Sequence, residues 1–453
     1  MNELKAYAEK IEALARSQGL DHYPVDFEMA PASLMTEIAV YGLPVRMPHW
    51  SFGVRYIHQL VRQSMGNSKI FEVMFPGDPC RAFLMDGNSL AENTLVTAHV
   101  LGHADFSKNN ALFARFHSMA GGNIVEHAAS HANRIQQAID RAGLERVELV
   151  LDAALALESH VDVAGELHRA PYPEFVAEKQ KVAPTEFQRR FASLPGSAPA
   201  QIDLPLGPLR AQVPPHAEYD LLWFIAHYAP ELEQWERDIF LMVRSESLYF
   251  YPVFACQIMN EGWASYWHAR LLREADFLPQ PLYLSALKAH SDVVRPYAGE
   301  GQAALAINPY HLGFALWERI VEKHGLAHAR EVMREEDDFG FIRNHLDEEL
   351  MQQCGLFVYE AAADDEIKVA SRDPGAVREA ILAPKFNYGA PRVAAVELKN
   401  DGTLTLQHDH PSDGRGLDVV RARKVLEYVR RVWRRPVRLV TVNDRAEAVE
   451  LAA

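Results

Sequence analysis

The sequence predicts a mainly α-helical body with minor strands, followed by a small α+β domain. Three observations lead there. Apolar residues recur at helical spacing through most of residues 1–384, while strand alternation is clear only near residues 69–85 and after residue 391. Beyond residue 384 the order reads strand, strand, helix, strand. The chain of 453 residues is 48% hydrophobic and 24% charged, the balance of a globular protein with ample material for a core. Two domains are expected, residues 1–384 and 385–453.

Residues 2–18 form an amphipathic helix with Leu4, Tyr7, Ile11 and Leu14 on one side, ending at Gly19. The stretch Tyr41 to Gly53 carries two prolines and forbids a long helix, and helix resumes over 54–65. Residues 69–73 and 81–85 read as short strands around the turn Pro76-Gly-Asp-Pro79. Ser89 followed by Glu92 is a capping-box pattern that opens a central helix to about Asn110. Helices are expected next to Met119, from Asn123 onward, and from Glu145 to Glu158. Residues 171–215 hold nine prolines and little periodicity, which predicts an irregular crossing or lid. Helices then cover 217–228, 232–250, 253–274, 309–336 and 341–354, with Pro252 separating the second and third. In the last part, residues 392–398 and 403–410 are strands about an Asn400-Asp-Gly402 turn, 418–434 a helix, and 437–443 a strand.

The formal charge of −15 argues against a general nucleic-acid binder, because phosphate affinity depends on Lys and Arg. The arginine-rich helix after Asp418 reads as a solvated face with Val425, Val429, Val432 and Trp433 turned inward. Cys80, Cys256 and Cys354 are far apart and form no CxxC pair, which points to a reducing compartment. No signal-peptide pattern or run of about 18 apolar residues is present, so a cytoplasmic protein without membrane contact is expected.

The chemistry centres on His99-Val-Leu-Gly-His103. Histidines at i and i+4 project from one helix face and can grip one ion, as in the zincin motif HExxH. Val100 stands where that motif has its glutamate base. A second pair, His127 and His131, follows beside Glu126. Glu261, in a helix rich in Trp263, Tyr266 and Trp267, needs a partner if buried, and is the expected third ligand; Ser265 and His268 share its face. The base would then be Glu126 or Glu246. Two histidines and a glutamate suit zinc first among divalent metals, and suit iron or manganese when a further carboxylate joins. The competing account is an ion pair between Glu261 and His99, His103 or His268.

The segments YGLPVRMPHWSFGVRY, HVLGHADFSKNN, MNEGWASYWH, NPYHLGF and FIRNHLDEEL resemble the SpoVR family, of the stage V sporulation protein R type, over nearly the whole chain. The resemblance implies a link to spore cortex formation or, in bacteria without spores, to stationary-phase stress. It also implies as partners a PrkA-type serine kinase and a von Willebrand A-like protein. Two departures stand out: Ser245 to Phe250 replaces the family's more acidic and aromatic run, keeping Glu246 as a carboxylate, and His311 occupies a position that is more often not histidine. The expected function is a zincin-like metal-dependent hydrolase; the alternative is a non-catalytic scaffold of the kinase system.

Overall fold

The computed structural model describes residues 2–43, 45–64, 72–119, 124–174, 212–296, 307–361 and 367–453. It is mainly helical, as the periodicity predicts. In chain order the elements are α1 (Asn2–Ser17), β1 (Val25–Ala30), α2 (Ala32–Tyr41), α3 (Trp50–Ser64), β2 (Glu72–Phe75), β3 (Cys80–Met85), α4 (Leu90–Asn109), α5 (Ala111–Met119), α6 (Ile124–Ala142), α7 (Leu144–Ala156), α8 (Gly165–His168), α9 (Leu221–Tyr228), α10 (Gln234–Ala255) and α11 (Gln257–Glu274). There follow α12 (Gln280–Val293), α13 (Pro309–Glu335), α14 (Asp338–His345), α15 (Glu348–Gln353), β4 (Val358–Ala361), β5 (Ile367–Ser371), α16 (Pro374–Leu382), β6 (Val393–Leu398), β7 (Leu404–His408), α17 (His410–Asp413), α18 (Val419–Trp433), β8 (Val437–Val442) and β9 (Ala448–Ala452). Most of the proline-rich stretch 171–215 and the Gly121-Gly122 break lie outside the described residues. Among the described residues no helix is long and apolar enough to cross a membrane.

Two compact units emerge, Met1–Gly143 with Ser245–Gly389, and Leu144–Arg244 with Ala390–Ala453. In the first, α4 is the axis: every residue from Asn93 through Ser107 is buried, which a helix achieves only when packed on all sides. It lies against α1, α11 and α12, and α11 in turn against α13. The indoles of Trp263, Trp267 and Trp317 fill the space between, with the Trp317 N–H donating to the Met259 carbonyl at 2.9 Å. A small sheet of order β1-β3-β2 flanks α4, with β1 parallel and β2 antiparallel to β3.

Several boundaries differ from expectation. Pro252 does not end its helix; α10 runs on to Ala255 and the break falls at Cys256, where φ and ψ are −112° and 22°. Proline removes a single donor and kinks a helix whose neighbours still hold it. The expected helix 341–354 is two helices, because Asp347 leaves the helix and caps α15 through the Leu350 N–H at 2.8 Å. Strand β1, helix α2, helix α12 and the hairpin of β4 and β5 have too little periodicity to have been expected.

The second unit joins α7, α9 and the start of α10 to the four-stranded sheet β6-β7-β8-β9. Its pairing is antiparallel, parallel, antiparallel, with α18 connecting the parallel strands β7 and β8. The fourth strand β9 extends the expected ββαβ order. Of the residues expected to turn inward on α18, Val429, Val432 and Trp433 are buried and Val425 is half-buried, while Arg421, Arg423, Lys424 and Arg431 are exposed. The expected boundary at 384/385 and these units divide the chain differently: residues 144–244 cluster with the C-terminal sheet. The physical reason is local, since Glu218 pairs with Ala395 as a bridge, α18 packs on α7, and Trp433 stacks on Phe224 at 6.0 Å.

Candidate metal centre

Where α4 starts decides where its histidines point. The Ser89 hydroxyl accepts from the Glu92 N–H at 3.2 Å and the Glu92 carboxylate accepts from the Ser89 N–H at 2.7 Å, a complete capping box. Glu92 is therefore engaged at the helix start. About two and three turns on from Asn93, His99 and His103 stand edge to face with ring centroids 4.5 Å apart. Val100 is fully buried among Val96, Leu95 and Leu272.

Helix α11 brings the carboxylate. It can approach α4 because Gly102 faces Ala264, where a Cβ would lie 2.7 Å from the Ala264 Cα. On its other side a Cβ at Gly262 would lie 2.3–2.7 Å from the Gly313 backbone of α13. Its first turn is fixed by buried Asp338, which accepts from the Ile258 and Met259 N–H groups at 3.0 and 2.9 Å and pairs with Lys385 at 2.9 Å. A further tie crosses the helices just beyond the site, where the Trp263 indole donates to Asp105 at 2.9 Å.

Held so, Glu261 Oε2 lies 3.6 Å from His99 Nε2 and 3.4 Å from His103 Nε2. Glu72, from β2, presents Oε1 at 3.8 Å from His99 Nε2. Glu72, His99 and His103 form a grouping able to hold one ion, their donor atoms all within 4.8 Å of one another. Two of the converging atoms, His99 Nε2 and Glu261 Oε2, are buried without a hydrogen-bond partner. Tyr310, in the first turn of α13, stacks on His99 with ring centroids 6.0 Å apart, and burial beside Glu261 and Glu72 pushes its hydroxyl well above the ordinary value.

The outward nitrogens are engaged. His103 Nδ1–H donates to Asn260 Oδ1 at 2.9 Å, which turns its Nε2 to Glu261. His99 Nδ1 lies 2.9 Å from His268 Nδ1, and His268 Nε2 lies 2.6 Å from His290 Nδ1. Burial pushes the Glu72 carboxyl above its ordinary range, against the opposing pull of His99. Burial works to raise Glu261 too, but His103 and His99 overcome it and hold the carboxyl far below the usual range. On His103 burial opposes charge, and Glu261 and Asn260 outweigh it, raising the imidazole. Burial drives His268 well below its ordinary value.

The other expected site residues lie elsewhere. Glu246 is fully buried between Arg46, at 2.9 Å, and His131, at 3.0 Å. Glu126 is exposed in the first turn of α6, as is His127. Among the described residues, neither pairing of Glu246 reaches His99 or His103. His311 Nδ1–H donates to the Val294 carbonyl at 2.9 Å, and His311 has no part in the site. Sequence reasoning missed Glu72, Asn260, His290 and Tyr310. For Glu72 a signal existed, a carboxylate flanked by Phe71 and Val73 in a strand-like run. For His290 the faint signal was its four-residue spacing from buried Ala286.

A family model described as SpoVR like protein matches residues 1–387, and one described as SpoVR-like C-terminal domain matches residues 392–444. The chain is 29% identical to the uncharacterized protein YcgB of Escherichia coli (strain K12), covering 97% of this chain and 92% of that one. No solved structure matches the chain.

Proposed function

The chain belongs to the SpoVR family, and from that premise we propose that it is a cytoplasmic metal-dependent hydrolase of zincin-like chemistry, acting in spore cortex formation or stationary-phase stress. One observation carries the metal: His99 Nε2 and Glu261 Oε2 face each other at 3.6 Å, both buried, neither with a hydrogen-bond partner. Buried polar atoms are almost always satisfied, and a cation held by two imidazoles and the Glu261 carboxylate satisfies these.

His99, His103 and Glu261 would hold the ion. A bound divalent cation supplies Lewis acidity and activates water. Glu72 is the carboxylate that reaches the same histidine nitrogen, and it orients the attacking water by hydrogen bond. The base role expected of Glu126 or Glu246 has no geometric support: one is exposed on α6 and the other is spoken for by Arg46 and His131. Tyr310, stacked on His99, would donate to a developing oxyanion. Zinc fits a set of two histidines and one carboxylate.

A second reading has its own observation. Glu261 lies within ion-pairing distance of both histidines, so the cluster is electrically balanced without a metal when His103 is protonated. The chain is then a scaffold for the PrkA-type kinase and the von Willebrand A-like protein. Elemental analysis of untagged protein, beside Glu261→Ala and Glu72→Gln, separates the two. Stoichiometric metal in the parent, none with Glu261→Ala and full retention with Glu72→Gln is the expected result. A metal-free parent that still supports the cellular phenotype sinks the hydrolase. Loss of metal with Glu72→Gln makes Glu72 a ligand and removes its assigned role.

A further inference from the structure

Three imidazoles from three helices stand in series behind the metal site. His99 of α4 meets His268 of α11 through the two Nδ1 atoms at 2.9 Å, and His268 meets His290 of α12 from Nε2 to Nδ1 at 2.6 Å. His268 is fully buried, and His290 is buried edge-on against Phe314 with ring centroids 5.3 Å apart. A neutral imidazole has one N–H and one bare nitrogen, so the direction of the first bond dictates the second. When His99 donates from Nδ1, His268 accepts at Nδ1, carries its own proton on Nε2, and donates to His290. The opposite direction places a proton on His99 Nε2, the atom aimed at Glu261.

We propose that His268 and His290 are positioning residues of the metal site, holding His99 in the tautomer whose Nε2 is bare toward Glu261 and Glu72. This rests on the metal reading above. Packing alone accounts for two buried histidines that satisfy each other; it does not account for both nitrogens of His268 being taken by imidazoles, one of them on a ring whose other nitrogen lies buried and unpartnered at the site. Metal-binding histidines ordinarily donate their second N–H to a carboxylate, a carbonyl or water, and loss of that acceptor weakens the metal. Here the acceptor is a ring that accepts only while its neighbour accepts in turn. That makes His290, which touches no ligand, part of the site.

The test uses the full chain stripped of metal and titrated with Co2+ and Zn2+ against a chromogenic chelator. His268→Phe keeps a ring and removes the acceptor, and is expected to weaken binding about 10–100-fold. His268→Asn returns a carbonyl oxygen near the Nδ1 position and is expected to restore most of the affinity. His290→Phe is expected to weaken binding by less than His268→Phe does. A purely structural role moves the thermal midpoint of the metal-free protein and leaves affinity unchanged. Should His268→Phe fail to fold, imidazole nitrogen NMR on the 15N-histidine parent decides: the zinc-loaded protein is expected to carry the His268 proton on Nε2. A His268 protonated on Nδ1 in that state, or a folded His268→Phe protein that binds as tightly as the parent, would overturn the proposal. A parent that binds neither ion overturns the metal reading itself, a result distinct from a parent that binds with variants unaffected.

Discussion

Whether Glu261 reaches the histidine pair is decided by the residue after it, which has no side chain. A methyl group at position 262 meets the Gly313 backbone at 2.3–2.7 Å, and backbone cannot swing aside. Gly262→Ala should therefore destabilise the protein by about 1–3 kcal/mol, as overpacking does, and lower metal affinity by pushing α11 off α13 and so shifting Glu261 against the histidines. Gly53→Ala provides the contrast, since that helical glycine has open space around its Cβ position and the substitution should stabilise by up to about 1 kcal/mol through helix propensity. Denaturant midpoints of the two variants check this, and a Gly262→Ala protein as stable and metal-competent as the parent defeats it. At this scale the histidine pair and Glu261 were legible, because helical spacing and an isolated carboxylate among tryptophans leave marks in one dimension. Glu72 and His290 were not: a single acid in a strand and a single histidine in a helix acquire meaning only when the fold brings α4 beside them.

The element that fixes the site is α11, and its start is held by side chains from far along the chain. Asp338, fully buried, accepts from two of its first N–H groups and is itself neutralised by the partly buried Lys385. Burial pushes the Asp338 carboxyl upward, against the pull of Lys385. Asp338→Ala leaves the Lys385 charge without its carboxylate, held only by the Phe254 carbonyl and ring, which should cost about 3–5 kcal/mol, including the loss of the cap. Pairing it with Lys385→Met removes the stranded charge, so the double variant should lose only about 1–2 kcal/mol, chiefly the cap. Equilibrium unfolding in denaturant measures both, and a double variant no better than the single one contradicts the account. Capping within one helix was readable from sequence, as the Ser89–Glu92 box shows. Capping of α11 by Asp338 was not, because a cap supplied across a fold has no fixed spacing, and for the same reason Pro252 misled: the local rule ends a helix that tertiary neighbours sustain.

For the whole molecule, composition and periodicity conveyed the helical body and the small α+β region, while the membership of each unit stayed hidden because long-range pairing has no local signature. Residues 144–244 gather with the C-terminal sheet: α18 packs on α7, the Trp433 ring lies nearly parallel to Phe224, and Glu218 bridges to Ala395. We propose that residues 385–453, although continuous in sequence, are an incomplete folding unit. Trp433 is the single tryptophan of that segment, so its fluorescence reports on the fragment without interference. Alone, the fragment loses α7 and Phe224 as cover for its apolar face, and should show red-shifted emission and a broad, weakly cooperative unfolding transition. Co-expressed with residues 1–384, it should co-purify, and its amide hydrogens should exchange as slowly as in the intact chain. The intact chain sets the reference for both. A fragment that unfolds sharply by itself with an already buried tryptophan would show that the C-terminal sheet needs nothing from residues 144–244, and that the sequence boundary near residue 384 is the physical one.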